Sequence, residues 1–570
     1  MARLDRIGSV GIIAFDTGHL GMVLCAMKKS QTVRAPKAPG FRRLMTDLHI
    51  WVGLLVAWVL YAMFLTGTVS YFREELSDYM RPELVFRQDF SAARTVERVY
   101  AQIKEKRPDT TQVIISLPTE RSPFVSALWR DPNGKRRGFA QGTFDAATGT
   151  PLVARDTYGG DFFYRFHFNF HYMPVLWGRW LAGFCTMFML VAIITGVIIH
   201  KKIFTDFFTF RSGKGQRSWM DGHIALSVLG LPFHFMITWS GLVMLMFMYM
   251  PFGLQALPSS NDRLAVDNEL RIFLPASDLK GPPAQLTALA PLIERAEQQW
   301  GKAGIGSVRI VDPDSVTARI AVVKSDAAKI SKAPRYFLFD GITGELLQAK
   351  EVSSPMVNLH GTLYGLHKGR FADIPMRWMY FLIGLTGTAM VGSGLVLWTV
   401  KHRQKLPDPE RPYFGFFLVE RLNIATIAGL SVAMCAFLWL NRLLPVTLHQ
   451  RADWEVHGFF MVWAATFLWA FLRPAKKAWV ELFVVAAALL ALLPVLNLFV
   501  TDRGLFSAVR HGDQLFMAID LSLWCLALLH GYIAWRIACH KLRIPKNRSN
   551  QVKKPPINAD SMLVSEAKEC

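Results

Sequence analysis

Eight apolar runs, each about the length of a bilayer-crossing helix, leave this chain few ways to fold. Inside hydrocarbon every backbone N–H and C=O needs an internal partner, so such runs become helices packed against one another. The first extends from about His49 to Tyr71 and the second ends in TGVIIHKKIF. The third begins near His223 and ends at MPFG, and the fourth runs from about Met376 to the basic KHRQK. Four more lie near 422–444, 456–472, 479–500 and 515–538. Lys and Arg gather at alternate ends of these runs. That pattern reads the net charge of +21 as positive-inside topology, with the lipid bilayer as partner and no nucleic acid. Six Cys without a CxxC pair indicate neither a zinc site nor a disulfide framework.

The basic flanks place the N-terminus, the loop 201–220 and the C-terminal tail in the cytoplasm. Residues 1–27 are a weakly apolar stretch interrupted by Asp16 and His19, poor as a signal peptide, and Met27 is an alternative start. Hydropathy collapses twice, and each polar region reads as a helix followed by strands: TVERVYAQIKEK, then VIISL, FVSALWR and GTFDAATGTPL; and PLIERAEQQW, then SVRIV, ARIAVVK and RYFLFDGITGELL. The expected fold is an α-helical polytopic membrane protein of about eight transmembrane helices, with a duplicated four-helix core and two small α+β periplasmic domains. The division is 1–46 cytoplasmic segment, 47–72 first span, 73–160 first outer domain, 161–250 spans two and three, 251–357 second outer domain, 358–405 fourth span, 415–540 four further spans and 541–570 tail.

The duplication rests on matched strings. MTDLHIWVGLL matches WMDGHIALSVL, setting His49 against His223; FDAATGTPL matches FDGITGELL; WGRWLAG and TGVIIHK match MRWMYFL and SGLVLWTVK. Matching positions of a twofold bundle face each other across its axis. Most histidines of the first 400 residues sit at span ends and sort into two layers. His49, His200, His223 and His402 fall on the cytoplasmic side, and His167, His171, His360 and His367 on the outer side. A helix from His171 to His200 would rise about 43 Å, near the full thickness of a bilayer. His167 and His171, four apart, would share a helical face, and His360 and His367 would lie about 10 Å apart on another. His234, about 16 Å beyond His223, sits deep in the third span. An ionisable group there marks a functional site, or a neutral ring bonded to a carbonyl that Pro232 frees.

Paired imidazoles in two layers suit two bis-histidine b-type haems. A di-metal carboxylate site would need Asp or Glu inside the first four spans, which have almost none. Met244, Met246, Met248 and Met250 scatter around a helix and read as apolar filling. Arg179 with Trp180, and Arg377 with Trp378, read as interfacial anchors or as partners of haem propionates. The favoured axial pairs are His49 with His223, and His171 or His167 with His367 or His360; His200 and His234 are substitutes.

On DLHIWVGL, FHFNFHY with WGRWLAG, TGVIIHKKIF, DGHIAL, PFHFMITWSGL and LHGTLYGLHKGRF, the chain resembles the PepSY-associated transmembrane helix family of bacterial inner-membrane proteins over about residues 40–405. The resemblance implies a place in iron uptake, likeness to haem-containing ferric-siderophore reductases, and haem ligation among His49, His167, His171, His223, His360 and His367. The function expected is an inner-membrane haem b electron-transfer protein that reduces a periplasmic ferric chelate. No Rossmann or flavin fingerprint occurs, so the donor is a separate molecule: a quinol, a flavin or a reductase. The rivals are a non-enzymatic PepSY-bearing binding or regulatory protein, and an iron-chelate transporter.

Overall fold

A computed structural model describes residues 40–540, apart from 85–89, 135–137, 201–204, 206, 209, 212, 257, 273, 275–280 and 328. The alternative start at Met27 and the tail 541–570 lie outside the described residues. Helix α1 (Phe41–Val69) continues through a short 3₁₀ turn into α2 (Arg73–Tyr79). Then come α3 (Ala92–Lys106), β1 (Gln112–Ser116), β2 (Val125–Arg130) and β3 (Phe139–Phe144). The chain returns through α4 (Gly160–Asn169) and α5 (Val175–Ile199), then α6 (Gln216–Leu229) and α7 (Leu231–Met244). After α8 (Ala290–Trp300) follow β4 (Ile305–Val311), β5 (Arg319–Lys324), β6 (Tyr336–Asp340) and β7 (Leu346–Lys350). Helices α9 (Pro355–Lys368), α10 (Ile374–Arg403), α11 (Phe414–Leu443), α12 (Arg451–Leu472), α13 (Ala475–Val500) and α14 (Gln514–Cys539) complete the fold. Among the described residues seven helices are long and apolar enough to cross a membrane, eight spans if the bent pair α6 and α7 counts as one. The protein is a polytopic helical membrane protein.

Two expectations about the spans need correction. The third run is not one straight helix: it bends by 67° between Leu229 and Leu231. Gly230 gives the chain freedom there, and Pro232 in the first turn of α7 has no N–H to continue the ladder of α6. The second run does not begin at the histidines. Helix α4 ends at Asn169, because Phe170 and Tyr172 take φ of 55° and 56°, and α5 starts only after Pro174. His171 therefore lies in a turn, not one helical step above His167.

The two strand groups do not stand apart. Strands β1 and β4 pair antiparallel from Gln112↔Val311 to Ser116↔Ser307, giving one seven-stranded sheet ordered β3-β2-β1-β4-β5-β6-β7. An open edge on either half would expose unpaired N–H and C=O groups, and each covers the other's. One core runs beneath both halves, with Val96, Val99 and Ile103 of α3, Ile293 and Ala296 of α8, and Val113, Ile115, Val308 and Ile310 of the central strands. Each FD-x-x-TG string closes the same turn. Asp145 Oδ1 accepts from the amides of Ala147 and Thr148, and Asp340 Oδ1 from those of Ile342 and Thr343. Gly149 and Gly344 follow with φ of 72° and 71°, a conformation that favours glycine.

Helix α11 packs directly on α1 and α10 through Asn423, which accepts from Trp58 Nε1 (2.8 Å) and donates to the Leu395 carbonyl (3.1 Å), and two further sets of contacts join helices α11–α14 to the preceding chain. One is aromatic: Phe162 stands 4.8 Å from Phe437 and 5.0 Å from Phe459, with Phe166 against Phe460 and Trp463. The other is a buried polar junction at the sheet side of the bundle. Arg442 donates to Asn497 Oδ1 (2.7 Å) and the Tyr79 carbonyl (2.8 Å), while Tyr79 donates its hydroxyl to Asp520 (2.8 Å). Beside it Arg451 pairs with Glu455, both fully buried, and Thr157 of the preceding loop donates to Glu455. Charges held this way are costly to separate and fix one docking geometry.

Ile310 is fully buried at the centre of the joined sheet. Ile310→Ala should cost about 2–5 kcal/mol, and because the core is shared, hydrogen exchange should rise in β1–β3 and β5–β7 together. Loss of protection confined to the second half would contradict a single cooperative sheet.

Candidate functional site

Four of the eight histidines expected to matter come together as two pairs. In the first, His49 on α1 and His223 on α6 stand with ring centroids 6.4 Å apart and planes crossed at 74°. His49 donates its Nδ1–H to the Ala192 carbonyl (2.9 Å), with Thr195 Oγ1 at 3.2 Å. His223 makes the same kind of contact, donating to the Met390 carbonyl (2.9 Å) beside Ser393 Oγ at 3.2 Å. A carbonyl can only accept, so each bond fixes the tautomer and leaves Nε2 with a free lone pair.

The second pair is His167 at the end of α4 and His367 at the end of α9, with centroids 6.2 Å apart and planes at 41°. His167 donates its Nδ1–H to the Met63 carbonyl (2.6 Å). His367 sets Nδ1 at 3.0 Å from Ser240 Oγ and bonds the Ile237 carbonyl. The chain interval from His49 to His223 also separates Met63 from Ile237. From His49 to Met63 the helix rises about 21 Å, which sets the separation of the two layers.

The residues that receive the rings were not read from the sequence as functional, although a signal for them exists. Each receiving helix carries a hydroxyl residue followed by glycine: Thr66-Gly67, Thr195-Gly196, Ser240-Gly241 and Ser393-Gly394. A Cβ on these glycines would meet the Cε1 of His167 at 2.7 Å, His49 at 3.3 Å, His367 at 3.1 Å and His223 at 3.2 Å. Glycine therefore lets an imidazole lie against the helix backbone. Each hydroxyl bonds a carbonyl of the preceding turn, Thr66 to Ala62, Thr195 to Val191, Ser240 to Met236 and Ser393 to Met390, so none is left unpaired in the membrane.

The remaining expected residues lie elsewhere. His171, favoured as a partner of His367, instead stacks on Phe460 of α12 at 5.5 Å, in the turn that Phe170 and Tyr172 create. His360 faces Phe247 (5.9 Å) two turns along α9 from His367. His200 caps the C-terminal end of α5 on the His49 side, and His402 stacks on Trp398 at 4.0 Å. The bend at Gly230 takes His234 out of line with His223. It is 1% exposed, set edge-on to Phe64, with Nε2 3.4 Å from the Ile383 carbonyl and no partner for Nδ1 among the described residues. Both arginines are engaged by protein groups. Arg377 pairs with Glu75, which also holds Arg121, and Arg179 donates to Asn169 Oδ1 (3.0 Å). No cluster of three or more metal-ligating side chains occurs among the described residues.

The family model of the PepSY-associated TM region matches residues 46–401, more than half of the chain. The chain belongs to this family. The PepSY-associated region thus contains both imidazole pairs, all four hydroxyl-glycine steps and the whole sheet, and ends where α10 ends. Helices α11 to α14 lie beyond it. The uncharacterized protein PA4219 of Pseudomonas aeruginosa is 26% identical over 323 residues, covering 52% of this chain and 76% of that protein.

Proposed function

We infer that this member of the PepSY-associated family carries two b-type haems and moves electrons across the bacterial inner membrane to a ferric chelate, such as a ferric siderophore, on the sheet side. The two imidazole pairs carry the inference. Two rings that share one metal at about 2 Å from each Nε2 stand with centroids about 6 Å apart, and the observed separations are 6.4 and 6.2 Å. His49 and His223 would hold one haem, and His167 and His367 the other. A haem b held by these residues would supply a one-electron ferric/ferrous couple, and an iron held by both imidazoles of a pair would have no position open for oxygen chemistry. The carbonyls of Ala192, Met390, Met63 and Ile237 fix the orientation of the rings.

The reading includes a duplicated four-helix core. The matched acceptors of His49 and His223, and the equal interval from Met63 to Ile237, support it. It also includes a periplasmic, PepSY-like sheet and termini in the cytoplasm, supported by the basic ends of the spans opposite the sheet. In a background with native cysteines replaced by Ser, Gln141→Cys should react with an impermeant maleimide on intact cells and Lys214→Cys should not. The reverse pattern would invert the topology.

His223→Ala should remove about half of the b-type absorbance, and His367→Ala or His167→Ala the other half. His171→Ala should leave haem content unchanged. Electron transfer to an outer ferric chelate should stop in the first three variants, since a chain of two stations fails when one is lost. Wild-type protein without haem, made in haem-replete cells, would end this reading.

A further inference from the structure

The described chain offers no built-in reductant, yet one feature joins the inner imidazole pair to the bilayer itself. A cleft of about 5470 Å³ is lined by α10, α11, α13 and α14, with α11 packed on α10 at its back through Asn423, which donates to the Leu395 carbonyl (3.1 Å). That volume is several times a fitted small-molecule pocket of roughly 300–1,000 Å³, and the lining runs from Arg121 and Trp300 near the sheet to Lys476 at the opposite end of the spans. One level of it combines polar chemistry with a direct contact to the inner imidazole pair. There Ser393 lines the cleft on α10 while its hydroxyl contacts His223 Nδ1 at 3.2 Å. The cleft and the inner imidazole pair are therefore separated by one residue.

His530 of α14 lines the same cleft, and the ends of α10 and α14 are joined on one side of the bundle through Arg403–Glu420, Arg421 to the Arg473 carbonyl and Lys476 to the Ala538 carbonyl. Ser393 lies about 15 Å from the Arg403 end of α10 and His530 about 14 Å from the Cys539 end of α14, at 1.5 Å per residue. His530 donates its Nδ1–H to the Leu526 carbonyl (2.8 Å), which fixes Nε2 as an acceptor. That nitrogen has no hydrogen-bond partner among the described residues. A partly buried imidazole at this depth is expensive unless it serves a ligand, and an acyl chain filling the cleft would give it no donor. Phe483 stands beside it at 5.8 Å, and Trp479 stacks on Phe483 at 14°, so the wall also presents flat aromatic surface.

We propose that this level of the cleft binds a membrane quinol, which reaches it laterally from the bilayer and is the electron donor. The proposal rests on the haem reading above. A quinol hydroxyl donates to His530 Nε2, its ring lies against Phe483, and its isoprenoid tail follows the crevice. On oxidation the quinol loses both O–H protons and two electrons and leaves as quinone. The first proton goes to His530 Nε2, and both are released to water at the basic ends of α10 and α14. The two electrons pass singly past Ser393 towards the His49–His223 layer and reduce two ferric ions to ferrous beyond the second pair.

The test uses full-length, haem-loaded protein in liposomes and a reduced short-tailed benzoquinone. Rapid mixing should reduce the haem of the wild type. His530→Gln should slow that reduction at least tenfold, and so should Ala389→Trp, which fills the cleft from α10. Dithionite should reduce all three proteins to the same extent, and their haem content should match. Independently of haem, an azido-quinone should photolabel peptides of α10, α13 and α14, and unlabelled quinone should compete. Haem that dithionite reduces but quinol does not, an unchanged rate in His530→Gln, or label outside these helices would overturn the proposal. Protein without haem would fail the earlier reading instead, and the labelling would still decide whether the cleft binds quinone.

Discussion

An imidazole inside a bilayer must have one nitrogen satisfied by protein while the other stays available, and this requirement shapes the first four spans. The only groups always present on a neighbouring helix are backbone carbonyls, whose second lone pair can accept a further bond. Reaching one demands that the ring lie against the helix surface, where a Cβ would collide. Hence the glycine at each contact, and hence the hydroxyl beside it, which takes its own bond from the preceding turn and leaves no orphan. With His49, His223, His167 and His367 held this way, the four Nε2 atoms are left to whatever lies between the rings.

The rest of the architecture keeps these contacts in register. The short helices α4 and α9 present the second pair at a fixed height, each followed by a sharp turn into a long span: Phe170 to Pro174 in one case, and Gly369, with φ of 58°, in the other. The shared sheet bridges the two halves outside the spans. Glu75 ties Arg121 of that region to Arg377 at the head of α10. The polar junction of Arg442, Tyr79, Asn497 and Asp520 ties the last four helices to α2. Its charges balance, and its role as a fixed joint follows from the cost of exposing any one member to hydrocarbon.

Much of this was legible in the sequence, because hydropathy and basic ends report directly on spans, and repetition reports on facing positions. His49 against His223 follows from matched strings alone, as do the strand groups and their FD-x-x-TG closures. What failed was local geometry. The i, i+4 rule assigned His171 to the face of His167, but positive φ at Phe170 and Tyr172, two aromatic residues with no propensity to advertise it, ended the helix first. Gly230 and Pro232 were visible, yet whether such a pair bends a span by 67° depends on the packing of both sides. The β1–β4 pairing joins segments far apart in the chain, and no local pattern encodes it. Three of the four hydroxyl-glycine steps were present in the quoted strings, all but Thr66-Gly67, but they acquire meaning only once the facing ring is known.

The claim that each imidazole pair holds one haem can be put to a single spectrum. Low-temperature electron paramagnetic resonance of the oxidised protein should give two low-spin ferric signals of different anisotropy, because the ring planes cross at 74° in one pair and 41° in the other. A dominant high-spin ferric signal, or one low-spin species at one haem per chain, would contradict it.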